Sequence, residues 1–246
     1  VGRYLKYERG IPQTHWDCRA CKGAGCEKCD FTGKQYADSV EELIGRPVIE
    51  AFDAENAVLH GAGREDIDAR MLGSGRPFVM EVEAPRRRSV DLAALEEDIN
   101  EKAGGRVAVH LAGWADRKTV QSLKSDKAHK KYRILVEIDG PVTQDEFRAA
   151  LDQLKGVTIR QRTPLRVAHR RADKVRERDV LDIRCTGAQD DRYWVEVVGE
   201  AGLYIKELIS GDNDRTQPSL ARILGRTARV VSLDVVLVET ANEFGE

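Results

Sequence analysis

Four of the five cysteines fall within Cys18-Arg19-Ala20-Cys21-Lys22-Gly23-Ala24-Gly25-Cys26-Glu27-Lys28-Cys29, and this cluster constrains the fold more tightly than any other feature. Two C-x-x-C pairs joined by a glycine-rich turn can converge four thiolates on one tetrahedral ion, the pattern of a closed structural zinc site. Disulfide pairing is the alternative, but nothing in the sequence indicates an oxidising compartment. A redox C-x-x-C would sit in a βαβ context, and none is visible. With four protein ligands the ion keeps no open position, so the expected role is to fold a short knuckle, not to catalyse. Cys185 stands alone in an apparent strand and reads as a small buried residue.

The chain has 246 residues, enough for one large domain or two closely joined lobes. No apolar run approaches the length that spans a bilayer, and there is no signal-peptide core. The first residue is Val1, which suggests a fragment or a processed product. A net charge of −2 does not advertise nucleic-acid binding, and its distribution is more telling than the sum. Between Lys155 and Arg178 there are nine Lys/Arg, Arg170 and Arg171 among them, against two Asp/Glu. Arg86-Arg87-Arg88 forms a second basic knot. Such patches attract phosphate, although a charge run is also the mark of an ordinary solvated face.

Ser39 followed by Glu42 predicts a capped helix over Ser39 to Ile44, and Pro47 to Phe52 then leads towards a strand. The spacing of Leu92, Leu95 and Ile99 predicts a helix over Asp91 to Lys102. Strands are expected at Pro77 to Val82, Arg106 to Leu111 and Lys131 to Asp139, the last with Tyr132, Ile134, Val136 and Ile138 on one side. A helix begins near Thr143 and ends at Gly156. Further strands are expected at Val157 to Gln161, Leu165 to Ala168, Val180 to Thr186, Tyr193 to Val198 and Ala228 to Val238, with helices near Leu203 and after Ser219. This mixture suits an α+β fold with an extended, mostly antiparallel sheet. The expected division is a knuckle segment over 1–36 and one domain over 37–246.

Chemistry concentrates in His60-Gly61-Ala62-Gly63-Arg64-Glu65-Asp66-Ile67-Asp68-Ala69-Arg70-Met71-Leu72-Gly73, which packs acids and arginines between glycines directly after the strand-like Ala57-Val58-Leu59. Glycines permit a tight loop there. An arginine beside a carboxylate keeps the acid ionised and fixes its direction. An oriented carboxylate can serve as nucleophile or general base. The alternative is a surface loop whose charges pair only with each other. The glycines fit neither a Walker loop nor a dinucleotide fingerprint. His60, His110, His129 and His169 are not spaced as a metal site or a triad.

Gly63-Arg64-Glu65-Asp66 resembles the Gly-Arg-x-Asp loop of pseudouridine synthases, and the run on to Gly73-Ser74-Gly75-Arg76-Pro77-Phe78 resembles their Pus-ten branch. Two distant segments are similar to the same branch: Thr163-Pro164-Leu165-Arg166-Val167-Ala168-His169-Arg170-Arg171, and Ala201 to Leu208 followed by Gly211-Asp212-Asn213-Asp214-Arg215-Thr216-Gln217-Pro218-Ser219. The resemblance runs in order from Arg3 to Val238. It implies the pseudouridine synthase fold, with two sheet-based halves flanked by helices. Relatives usually carry an N-terminal THUMP-type domain that nothing here resembles, so the chain is expected to be the catalytic half. The knuckle and Gly33-Lys34-Gln35-Tyr36 favour an archaeal-type member.

What the resemblance implies is an isomerase that converts uridine to pseudouridine in the tRNA T-loop, at positions 54 and 55. It would work in the cytoplasm, with zinc only as a structural ion and no catalytic cofactor. Asp66 aligns with the catalytic aspartate, held by Arg64, and Asp68 is its rival. Tyr132 matches the tyrosine that stacks on the target base. Lys206 falls where related enzymes pair an arginine with the aspartate. Leu220 is the choice for the apolar pocket residue, with Leu224 the alternative. Arg215 is expected near the site or the RNA, and Arg170 and Arg171 on the backbone-tracking surface. The family commonly has Gly before that arginine; here Asp214 stands there. A non-catalytic RNA-binding module of the same fold is the second reading. One or both uridines, and the oligomeric state, stay open.

Overall fold

The computed structural model describes residues 1–125, 127–169 and 171–239, and these form two compact units. The first unit contains β1 (Gly2–Lys6), α1 (Val40–Phe52), β2 (Asn56–Gly61), β3 (Arg70–Glu83), α2 (Leu92–Lys102), β4 (Val107–Leu111) and α3 (Arg117–Ser125). Its strands pair antiparallel, β1 lying between β4 and β3, with β2 on the other side of β3. The division expected at residue 36 cuts β1 away from this sheet. In the structure β1 bonds to strands on both sides and buries Gly2, Tyr4 and Lys6 on alternate positions, so it belongs to the sheet and not to the knuckle.

Two local expectations change for physical reasons. Ser39 caps α1 as read, its side chain accepting from Glu42 N, but the helix runs on through Pro47 to Phe52. An interior proline costs about 3 kcal/mol. Leu43, Ile44, Val48 and Phe52 keep the helical spacing and are all buried, and each such side chain returns roughly 1.5–3 kcal/mol. Burial therefore outweighs the proline. β3 also starts earlier than expected, at Arg70, and passes through Gly73 and Gly75 in left-handed conformation. A Cβ on Gly75 would stand 2.8 Å from Tyr4 O, so the close passage of β1 requires glycine there. α3 has only a faint signal in the sequence, an Asp116–Thr119 cap and a single buried residue, Leu123.

The second unit contains β5 (His129–Ile138), α4 (Gln144–Asp152), β6 (Val157–Arg162), β7 (Val175–Gln189), β8 (Arg192–Gly199), α5 (Ile205–Ser210), β9 (Thr216–Gln217), α6 (Leu220–Leu224) and β10 (Ala228–Glu239). The strands run antiparallel in the order β10–β5–β8–β7–β6–β9. Thr143 and Glu146 form a reciprocal cap on α4, and Phe147 stacks on Tyr193 with ring centroids 4.0 Å apart. Leu165–Val167 is a 3-10 turn and not the expected strand. Leu165 N donates to Asp212 Oδ2 and Val167 N to Pro164 O, which withdraws both groups from any ladder. Both units are antiparallel sheets with helices, the α+β class read from the sequence.

Candidate active site and metal centre

Ala62 to Ala69 connects β2 to β3, with Gly63 turning through φ 77°. Exposure alternates where the motif lies: Arg64 is exposed, Glu65 buried, Asp66 half-buried and Asp68 exposed. Glu65, the variable position of the motif, is the residue that enters the core. Its Oε2 accepts from Arg76 Nε and from Tyr4 OH, both at 2.8 Å, and Lys6 Nζ lies 3.8 Å from Oε1. Burial pushes the Glu65 carboxyl up, but the charges of Arg76 and Lys6 and the Tyr4 hydroxyl overcome it and leave the group below the usual range. Burial likewise lowers Lys6 and raises Tyr4.

The same side chains grip the loop backbone. Arg76 Nη1 donates to Ala62 O at 2.7 Å and Gln13 Nε2 to Gly63 O at 3.0 Å. Lys6 Nζ donates to Asp66 O at 3.3 Å and Ile67 O at 3.2 Å. Arg64 lies with its guanidinium carbon 5.3 Å from the centre of the Trp16 ring, a cation–π distance. Asp68 contributes its carbonyl to Arg9 Nη1 at 2.9 Å. The sequence reading missed Tyr4, Lys6, Gln13, Glu65 and Arg76. The one available signal was Tyr4 and Lys6 sharing a parity in a short strand.

The remaining expected residues lie in the second unit. Tyr132 is 8% exposed on β5, opposite Val197 and Val235. Lys206 is half-buried in α5, and Leu220 is fully buried at the start of α6, whereas Leu224 is half-buried. Arg215 serves the local structure: its guanidinium donates to Thr163 O at 2.7 Å and Asp173 Oδ1 at 3.0 Å. Asp214 adopts φ 62°, so an aspartate fills the left-handed position where the family commonly has glycine, as Asp and Asn tolerate. Arg170 lies outside the described residues. Arg171 is exposed and donates to Tyr204 OH at 3.1 Å. Much of the basic stretch is internally paired, Lys155 with Asp182, Arg162 with Asp173, and Arg166 with buried Glu207.

In the knuckle the sulfurs of Cys18, Cys21, Cys26 and Cys29 all lie within 4.8 Å of one another. Cys29 Sγ is 3.9 Å from Cys21 Sγ and 3.8 Å from Cys26 Sγ. A tetrahedron with metal–sulfur bonds of about 2.3 Å has edges of about 3.8 Å, whereas a disulfide needs about 2.05 Å. The spacing fits a shared ion and no disulfide joins the four. Backbone N–H groups of Gly25 and Cys26 point at Cys21 and Cys29 sulfurs at 3.2 and 3.3 Å, the donors a thiolate needs. The Cys26 N–H helps pull the Cys29 thiol down to about 6, while burial pushes Cys26 up to about 11. Gly33 is obligatory here, because a Cβ would meet Gly23 O at 2.3 Å. The cluster can hold a metal ion.

The family described as "Pus10, C-terminal" matches residues 1–239. The chain belongs to that family. Relatives named "tRNA pseudouridine synthase Pus10" include that of Methanothrix thermoacetophila, 52% identical over 96% of this chain and 52% of its own length. Those of Archaeoglobus fulgidus and Methanopyrus kandleri are 54% and 51% identical, over 96% and 100% of this chain and 66% and 56% of their own. The chain thus spans from about half to about two thirds of these relatives. Among solved structures, a Cbf5-Nop10-Gar1 complex matches with TM-score 0.52 and 18% identity, over 82% of this chain and 46% of that one. That likeness shows a shared fold. No helix among the described residues is long and apolar enough to cross a membrane.

Proposed function

We propose that this chain is the catalytic part of a tRNA pseudouridine synthase, an isomerase acting on T-loop uridines at positions 54 and 55. The observation that carries the reading is the family match over residues 1–239 together with a motif loop that presents Asp66 half-buried on a rigidly held backbone. The reaction breaks the uridine N1–C1′ bond, turns the base and rejoins it through C5. The C5 hydrogen leaves as a proton and N1 gains one, so product and substrate are isomers and no redox cofactor is consumed. Asp66 acts as nucleophile at C1′ or as the base, with Arg64 holding its carboxylate. Exposing a base costs a few kcal/mol of stacking, offset by backbone contacts and an apolar wall.

In this reading Tyr132, Leu220 and Lys206 take the roles that the resemblance implies: base stacking for Tyr132, apolar lining for Leu220, and for Lys206 the place of the basic residue of related enzymes. Arg170, Arg171 and Arg215 are the candidates for binding the RNA backbone, and the enzyme works in the cytoplasm. The knuckle binds zinc through Cys18, Cys21, Cys26 and Cys29, which fits the four-sulfur set, and the ion stabilises that segment. The chain, incubated with an unmodified tRNA transcript, is expected to leave pseudouridine at T-loop positions mapped by chemical tagging. Asp66→Asn should abolish the tag and Asp68→Asn keep it. Loss in Asp68→Asn alone would move the catalytic role, and a wild-type chain that binds without tagging would favour the binding-module reading.

A further inference from the structure

Four of the loop's carbonyls, those of Ala62, Gly63, Asp66 and Ile67, are each held by a buried side chain from outside the loop. Loops ordinarily satisfy such groups with their own turns or with water. The donors are themselves locked together. Tyr4 on β1 and Arg76 on β3 are directly paired residues, both converge on Glu65 Oε2, and Gln13 Nε2 donates to Tyr4 OH at 2.8 Å. Tyr4, Lys6 and Arg76 are at most 1% exposed. A buried ion pair is weak support for stability, since apolar residues of similar volume often do as well. Its geometric effect is specific: Glu65 drawn inward by two directed bonds fixes the peptide that leads into Asp66.

We infer that the Glu65–Arg76 pair, completed by Tyr4, is a positioning device that sets the reach of Asp66 towards the substrate. The inference rests on the functional reading above and deepens it: neither residue touches RNA, and both act through the loop backbone. Lys6 supports the same account, because its Nζ lies 3.8 Å from Glu65 Oε1 and donates to the carbonyls of Asp66 and Ile67. Misplacement of a catalytic group by about 1 Å can cost about 100-fold in rate.

The test uses the full chain with an unmodified tRNA transcript. Single-turnover rates at saturating enzyme are scaled to the fraction of molecules that titrate tRNA stoichiometrically, which separates misfolding from mispositioning. Glu65→Leu/Arg76→Met replaces the pair by apolar residues. It is expected to lower the scaled rate about 10- to 100-fold with tRNA affinity within about twofold of wild type. Tyr4→Phe removes the bond to Glu65 Oε2 together with the one accepted from Gln13, and should lower the rate several-fold with affinity unchanged. If both variants keep the wild-type scaled rate, the pair only fills space and the inference fails. Should the double variant bind no tRNA, Tyr4→Phe decides alone. A wild-type chain that makes no pseudouridine defeats the functional reading instead, so the two failures are distinct.

Discussion

The motif loop and the cysteine knuckle are both short connections that turn through left-handed residues, yet they are held in opposite ways. The loop over Ala62 to Ala69 borrows its shape from the core, through Tyr4, Lys6 and Arg76. The knuckle over Cys18 to Cys29 has only two buried cysteines and four converging sulfurs. One is held by bonds from the sheet; the other has four sulfurs spaced to share an ion and, in the reading proposed above, takes its support from that ion. A residue that must meet a substrate with ångström precision is better placed on the first kind of support.

Removing the ion proposed for the knuckle should break the comparison most visibly. A chelator is expected to abolish hydrogen-exchange protection around Cys18 to Gly33 while the amides of Ala62 and Ala69 stay protected, since structural zinc contributes on the order of 10 kcal/mol to such knuckles. Equal loss in both segments would show that the loop also leans on the ion. Next in size, Arg76→Met leaves Glu65 buried without its main partner and should cost about 3–5 kcal/mol in denaturant unfolding. A cost under 1 kcal/mol would mean that the core relaxes around the lone carboxylate.

The acid limb sharpens the same contrast. Glu65 is lowered in the folded state, so it contributes stability that is fully present above its unfolded value of about 4.3 and is lost as the pH falls through the folded value. Glu65→Gln should therefore flatten the loss of stability below about pH 4, measured as unfolding free energy against pH. An unchanged slope would assign that limb to other carboxylates. Smallest of all, Asp173→Asn breaks exposed pairs with Arg162 and Arg215 and should change stability by no more than about 1 kcal/mol. A larger loss would mark that segment as a second rigid support.

The sequence made some of this legible and hid the rest for identifiable reasons. Alternation named β5 with its inward Tyr132, Ile134, Val136 and Ile138, and cap chemistry named the start of α1. Pro47 concealed the second half of α1, because the compensating burial is tertiary. Spacing found the knuckle since its chemistry is local. The support beneath Asp66 was illegible because Lys6, Glu65 and Arg76 are charged, and charged residues read as surface until partners from distant strands are seen. In the basic stretch the charge count could not show that several arginines bond within the protein.

The most direct test of the central claim follows the hydrogen that must leave. A tRNA transcript tritiated at uridine C5 releases tritium only when C5 forms the new bond. The account predicts stoichiometric release from T-loop uridines by the wild-type chain, and a fall on the order of a thousandfold or more with Asp66→Asn at unchanged tRNA affinity. Release by Asp66→Asn at the wild-type rate would contradict it.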